Sequence, residues 1–196
     1  MALPTYDKSK RRKTYDYEQL PKNAYVVTIL NAKERPWANG KGSNLEMAFD
    51  IAEGEYAGFY RKQFDSDERE DKKWPNDGVF RIQIPTDTTP DYVYTNWNTF
   101  FADLEDSNNG FVFSGDPKTL KGKIIGGKFY IEQSEQNGNV YDHTRFRYSC
   151  SADKVRSGKF GRLPNDKLIA PKATKAAAVD DGFMQISDTE EEELPF

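Results

Sequence analysis

The amino-acid sequence predicts a mainly β domain of five strands and one helix, with polar termini outside it. Three observations carry this expectation. Leu45, Met47, Phe49 and Ile51 alternate with Glu46, Ala48 and Asp50, the period of a strand with one buried face. Trp97, Phe100, Phe101 and Leu104 recur at i, i+3, i+4 and i+7, the spacing of a helix with one apolar stripe. Asn137-Gly138 stands between two β-rich runs and is a strong two-residue hairpin signal.

Taken in order, residues 1–20 are polar and basic without periodicity and read as a flexible arm. Residues 24–31 are rich in β-branched and aromatic side chains and form strand one, ending at a loop with Pro36, Trp37, Asn39, Gly40 and Gly42. Strand two is the alternating run that ends at Ile51. After the turn at Glu53-Gly54-Glu55, residues 56–64 read as strand three, carried by Phe59, Tyr60 and Phe64. A charged loop over 65–77 contains Trp74-Pro75, and the alternating run 79–84 reads as an inserted strand or hairpin. The helix spans 95–109, with Thr95 or Asn96 available as N-cap and Gly110 as the terminator. Strands at 123–133 and 143–152 close the domain, which occupies 21–170. Three strands, a helix and a closing hairpin is the order of an OB-fold, a five-stranded Greek-key barrel whose helix lies between strands three and four. A β-sandwich with one helix accommodates the same elements.

A chain of 196 residues suits one domain with tails. Only 36% of it is hydrophobic, yet it holds 13 Phe, 11 Tyr and 3 Trp, so the apolar residues are concentrated in part of its length. One cysteine, Cys150, and one histidine, His143, exclude a disulfide framework and a Cys/His zinc site made by this chain alone. Neither a metal nor a cofactor is expected. No signal-like or membrane-length apolar run is present, so a cytoplasmic location is expected.

The net charge of −4 hides a division along the chain. Asp180, Asp181, Asp188, Glu190, Glu191, Glu192 and Glu193 fall within the last 18 residues, which contain no Lys or Arg. The remainder has 28 basic against 25 acidic residues, with clusters at 8–13 and at 145–162. Binding to a polyanion is therefore compatible with the composition.

From Pro171 onward the chain is a polar linker followed by an acidic tail that cannot bury enough apolar surface to offset the entropy of ordering. It ends Asp188-Thr189-Glu190-Glu191-Glu192-Glu193-Leu194-Pro195-Phe196. An acidic run beside an apolar residue with a free carboxylate suits a small apolar pocket rimmed by Arg or Lys. This terminus resembles that of bacterial single-stranded DNA-binding proteins, whose tails end in acidic residues, an apolar residue, Pro and Phe. The body, with its long arm and the insertion over 65–84, is more similar to the bacteriophage-encoded members, which are divergent OB-folds with acidic tails. The resemblance implies sequence-independent binding and protection of single-stranded DNA during replication, recombination and repair, in a bacterial or phage-infected cytoplasm. It also implies that Asp188, Glu190 to Glu193, Leu194, Pro195 and Phe196 recruit a helicase, primase, polymerase or recombinase. The sequence leaves homo-oligomerisation open.

Holding a single strand requires cations for phosphates and exposed rings for bases. An OB-fold presents its binding face over strands two and three, between the loop after strand one and the loop joining strands four and five. That mapping selects Trp37 and Lys41 in the first loop; Tyr60, Arg61 and Lys62 on strand three; and Lys72, Lys73 and Trp74 in the insertion. It adds Tyr141, Arg145 and Arg147 in the last hairpin. Phe59 and Tyr60 would point oppositely on a strand, so one faces the groove and the sequence leaves open which. Phe146 and Tyr148 alternate with the arginines and read as the core face. Trp97 reads as packing.

Catalysis is not expected, because His143 has no recognisable nucleophile elbow beside it and no glycine-rich phosphate loop precedes a helix. The competing function is a recombination-mediator or protein-interaction module that uses the tail without binding DNA directly.

Overall fold

The computed structural model describes residues 18–169. Five strands, β1 (Ala24–Pro36), β2 (Ser43–Ile51), β3 (Val79–Gln83), β4 (Ile124–Gln136) and β5 (Asn139–Cys150), form one antiparallel sheet in the order β3-β2-β1-β4-β5. Three helices accompany them: α1 (Phe59–Ser66), α2 (Asp91–Ser107) and α3 (Ala152–Arg156). The fold is mainly β, an open sheet curled into a barrel-like shape.

The long central strand makes the curl possible. Ala24 to Thr28 of β1 pair with β4, while Val27 to Pro36 pair with β2, and a bulge between Ile29 and Asn31 bends the strand. The sheet thereby wraps a core of Val27, Ile29, Leu45, Met47, Phe49, Ile125 and Phe129, and α2 adds Phe100, Phe101 and Leu104. Phe49 lies at the centre, edge-on to Tyr60, Phe129 and Phe146. The hairpin between β4 and β5 turns on Asn137 and Gly138, both at positive φ (52° and 78°), as its two-residue loop requires.

The third strand is not where the sequence reading put it. Residues 59–66 form α1, and β3 is the short alternating run that the sequence marks as an insertion. The helix is selected from a distance: the Asp50 carboxylate on β2 accepts the Tyr60 N–H at 2.9 Å and the Arg61 N–H at 3.2 Å, satisfying donors that the first helical turn leaves open. Phe59, Tyr60 and Gln63 then face inward together.

The other corrections are smaller. Helix α2 starts at Asp91 after Pro90, so Thr95 and Asn96 are interior rather than capping, and Val93 extends its buried stripe. Residues 18–20 are packed rather than flexible, because Leu20 is 2% exposed and its carbonyl accepts from Thr144. Residues 151–152 belong to no strand; Ala152 opens α3. The basic cluster at 8–13 and the acidic tip at 188–196 lie outside the described residues.

Strands β3 and β5 are the two edges of the sheet, and side chains join them. Phe80 stacks on Phe146 with ring centroids 4.3 Å apart. Near one end of this seam, Asp77 receives Arg145 at 2.7 Å and His143 at 3.3 Å.

Candidate nucleic-acid interface

The predicted residues fall into separate sectors. Trp37 occupies the β1–β2 loop, closed by bonds from Trp37 N–H to the Gly42 carbonyl and from Gly40 N–H to the Trp37 carbonyl, both 2.9 Å. Its ring covers Gly42, where a Cβ would come within 2.9 Å of the indole and push the ring aside. Lys41 is exposed beside it.

Tyr60 is 1% exposed, and no base could stack on it without opening the core. Its neighbours Arg61 and Lys62 are exposed, on a helix rather than a strand. Arg61 lies 5.1 Å from the Trp74 ring and Lys72 lies 4.7 Å from the Phe64 ring, with the two rings 5.8 Å apart. Trp74 is anchored by donation from Nε1 to the Gly78 carbonyl at 3.1 Å, and Lys73 is exposed alongside.

Tyr141 is exposed near the tip of the β4–β5 hairpin. Arg145 is committed to Asp77 and, at 3.6 Å, to Glu132, and therefore acts first as a strut across the seam. His143 Nε2 and Ser134 Oγ are 2.9 Å apart, giving a serine–histidine–aspartate sequence with Asp77. Ser134 stands within a paired strand opposite Tyr141, not on a sharp turn, and Asp77 is clamped by Arg145. Ser134 and His143 lie on the paired strands β4 and β5, and Asp77 on the turn before β3.

A different surface brings rings and cations together most closely. A cleft of about 440 Å³ opens along the seam, walled by β3, β5 and α2, and Phe80, Phe100 and Phe146 are among its apolar lining residues. A second cleft of about 490 Å³ lies between the β4–β5 ribbon and residues 162–167, lined by Lys128, Arg147, Arg162 and Lys167. Tyr130, Arg147 and Tyr148 line both, so the two form one groove. Among the described residues no carboxylate lines either cleft. Chain and solvent meet here through exposed rings: Tyr148 is 47% exposed and Tyr92 65%.

Local backbone geometry explains this concentration. The β4–β5 register shifts between Lys128 and Phe129, pairing Lys128 with Tyr148 and Phe129 with Phe146 and leaving Arg147 as the extra residue. The bulge therefore turns both Arg147 and Tyr148 outward, with the guanidinium 5.4 Å from the ring. On the far wall, Lys167 N–H donates to the Ile131 carbonyl and Gln133 N–H to the Lys167 carbonyl, each at 2.9 Å, which ties the returning segment to β4. Lys167 is partly neutralised by Glu132 at 3.2 Å, while Lys128, Arg147 and Arg162 make no ion pair among the described residues.

Set against family models and curated proteins, the chain matches none. Among the described residues no cluster of His, Cys, Asp and Glu is arranged to hold a metal ion, and no helix is long and apolar enough to cross a membrane.

The outer face of β1, β2 and β3 adds positive charge. Lys33, Arg35 and Arg81 surround Glu46 at 3.5, 2.8 and 2.7 Å. Burial pushes the Glu46 carboxyl up, but the hydrogen bonds and charges of Arg35 and Arg81 outweigh it and bring the pKa down to about 2. Three cations share one anion.

Of the residues selected from sequence, only Arg147 lies in the groove. Tyr148, assigned to the core by alternation, is exposed because the bulge breaks that alternation. Arg162 was visible as part of the basic cluster, whereas Lys128, Lys167 and Tyr92 carried no distinguishing signal.

Proposed function

We propose that the domain binds single-stranded DNA along the groove formed by its two clefts. The observation that carries this reading is the carboxylate-free lining, in which Lys128, Arg147 and Arg162 flank the exposed Tyr148 ring. Cations beside accessible rings suit a flexible polyanion whose bases are free to stack. A duplex hides those base faces. Among the described residues α2, the longest helix, packs Val93, Phe100, Phe101 and Leu104 inward and lends Tyr92 and Asn96 to the groove wall.

The strand order supports an OB-type barrel. β1 pairs with β2 and β4, β3 and β5 meet edge to edge, and α2 lies between the third and fourth strands. Relative to that plan, α1 and the loop carrying Trp74 are an insertion between the second and third strands. The Trp37 loop, the Arg61–Trp74 cluster and Tyr141 are secondary contacts for a longer strand. The acidic tip recruits other replication or recombination proteins, and the protein works as a binding module without catalysing a reaction.

Titration with oligo-dT in low salt tests this reading through intrinsic Tyr and Trp fluorescence. Saturable quenching, weakened by Arg147→Ala and Tyr148→Ala, is expected. Absence of a response together with absence of binding by anisotropy favours a module that acts only through its tail.

A further inference from the structure

We infer that the groove is divided by function: the seam cleft takes one nucleobase out of the stack, and the adjoining cleft takes the phosphate that follows it. This rests on the strand-binding reading above.

The two clefts differ in chemistry although they share Arg147 and Tyr148. The seam cleft has phenylalanine rings in its lining, with Phe80 stacked on Phe146 at 4.3 Å and lying 5.7 Å from Phe100. Its volume of about 440 Å³ is that of a small-ligand site. Gln83 from β3 and Asn96 from α2 line it, and neither amide makes a side-chain hydrogen bond among the described residues. Each amide offers a donor and an acceptor side by side, the pattern that reads a base edge. The facing edges of β3 and β5, both outside the sheet ladder, supply further backbone donors and acceptors.

The second cleft has one amide, that of Asn165, and its oxygen is already engaged by Arg162 at 3.0 Å. The character of this cleft is set by cations. A planar, hydrogen-bonding group suits the first cleft and an anion suits the second, and Tyr148 at their junction is placed to stack on the next base. A nucleotide has these parts in this order. Most of the strand is then held without regard to sequence, while one position is read.

The test uses the full chain and competition of unlabelled hexanucleotides against a labelled oligo-dT, followed by anisotropy. The competitors are dA6, dC6, dT6 and an abasic hexamer. We expect the abasic strand to bind at least tenfold more weakly and the three bases to differ by fivefold or more. The Gln83→Ala/Asn96→Ala double variant, confined to solvent-accessible side chains, should compress that spread to within twofold. Lys128→Ala/Arg162→Ala should weaken every base-bearing competitor alike and preserve the spread. Equal binding of all base-bearing strands, or a spread the double variant leaves unchanged, overturns the base-reading cleft while strand binding stands. Failure of every oligonucleotide to bind overturns both.

Discussion

The Phe80 ring lies 4.3 Å from that of Phe146, inclined by 21°, and joins two strands that are not paired with each other in the sheet. A closed barrel would use backbone bonds at this place. Here the seam depends on side chains, and its lining doubles as the inner surface of the groove. Phe146→Ala should therefore cost about 3 to 5 kcal/mol, the usual range for truncating a core aromatic. Urea denaturation measures it. A loss below about 1 kcal/mol would show that the strands are held together by other means.

Groove substitutions should separate stacking from charge. Tyr148→Ala is expected to lose about 1 to 3 kcal/mol of binding free energy to oligo-dT, the worth of one base stack. Arg147→Ala should weaken binding and lower the slope of log affinity against log salt by about one phosphate contact. Thermal melts should show both variants folded, since both side chains are exposed. A salt slope unchanged in Arg147→Ala would place the phosphates elsewhere.

Tyr60 provides the converse test. Because it sits in the core, Tyr60→Ala should destabilise the fold by about 3 kcal/mol or more, whereas Tyr60→Phe should leave oligonucleotide affinity at the wild-type value. Reduced affinity in a stable Tyr60→Phe protein would restore it to the binding surface.

These outcomes bear on what the sequence makes legible. Strand β2, the α2 stripe and the Asn137-Gly138 turn depend on local periodicity or on backbone angles that few residues adopt, and each is readable from its own segment. Helix α1 is not, because its first turn is capped by Asp50 from β2 and its adjacent aromatics suit a strand equally well. Because this segment is a helix, Tyr60 is buried and Arg61 and Lys62 lie off the strand face expected for them. The groove was hidden for a second reason. It draws on β3, α2, the β4–β5 ribbon and residues 162–167, and a single bulge at Arg147 reverses the side expected for Tyr148.

Acid should weaken one part of the barrel in a predictable direction. The pKa of Glu46 is about 2 in the folded chain, below its ordinary 4.5, so its ion pairs contribute fully above about pH 4.5 and are lost as the pH falls toward 2. Asp50 opposes this. Burial raises its carboxyl despite three backbone N–H donors, so its cost to folding is relieved as the pH falls. Comparing Glu46→Gln with wild type isolates the first effect. The stability gap between them in urea should be larger at pH 6 than at pH 2.5, and a constant gap contradicts the assigned pairing.

The acidic tail should act on the same groove through charge. Its seven acidic side chains are tethered to a basic surface, so removing residues 179–196 should tighten oligonucleotide binding at low salt and have little effect at high salt. The same deletion should abolish capture of partner proteins. Equal DNA affinity with and without the tail at low salt would confine its role to recruitment.

The most direct measurement is a paired titration of wild type and the Arg147→Ala/Tyr148→Ala variant with a single strand and with its duplex, each at two salt concentrations. Wild type should bind the single strand in preference, more weakly at the higher salt, and the variant should lose at least tenfold in affinity for it while remaining folded. Equal affinity for duplex and single strand, or a variant that binds as wild type does, would contradict the assignment of the groove as the strand-binding site.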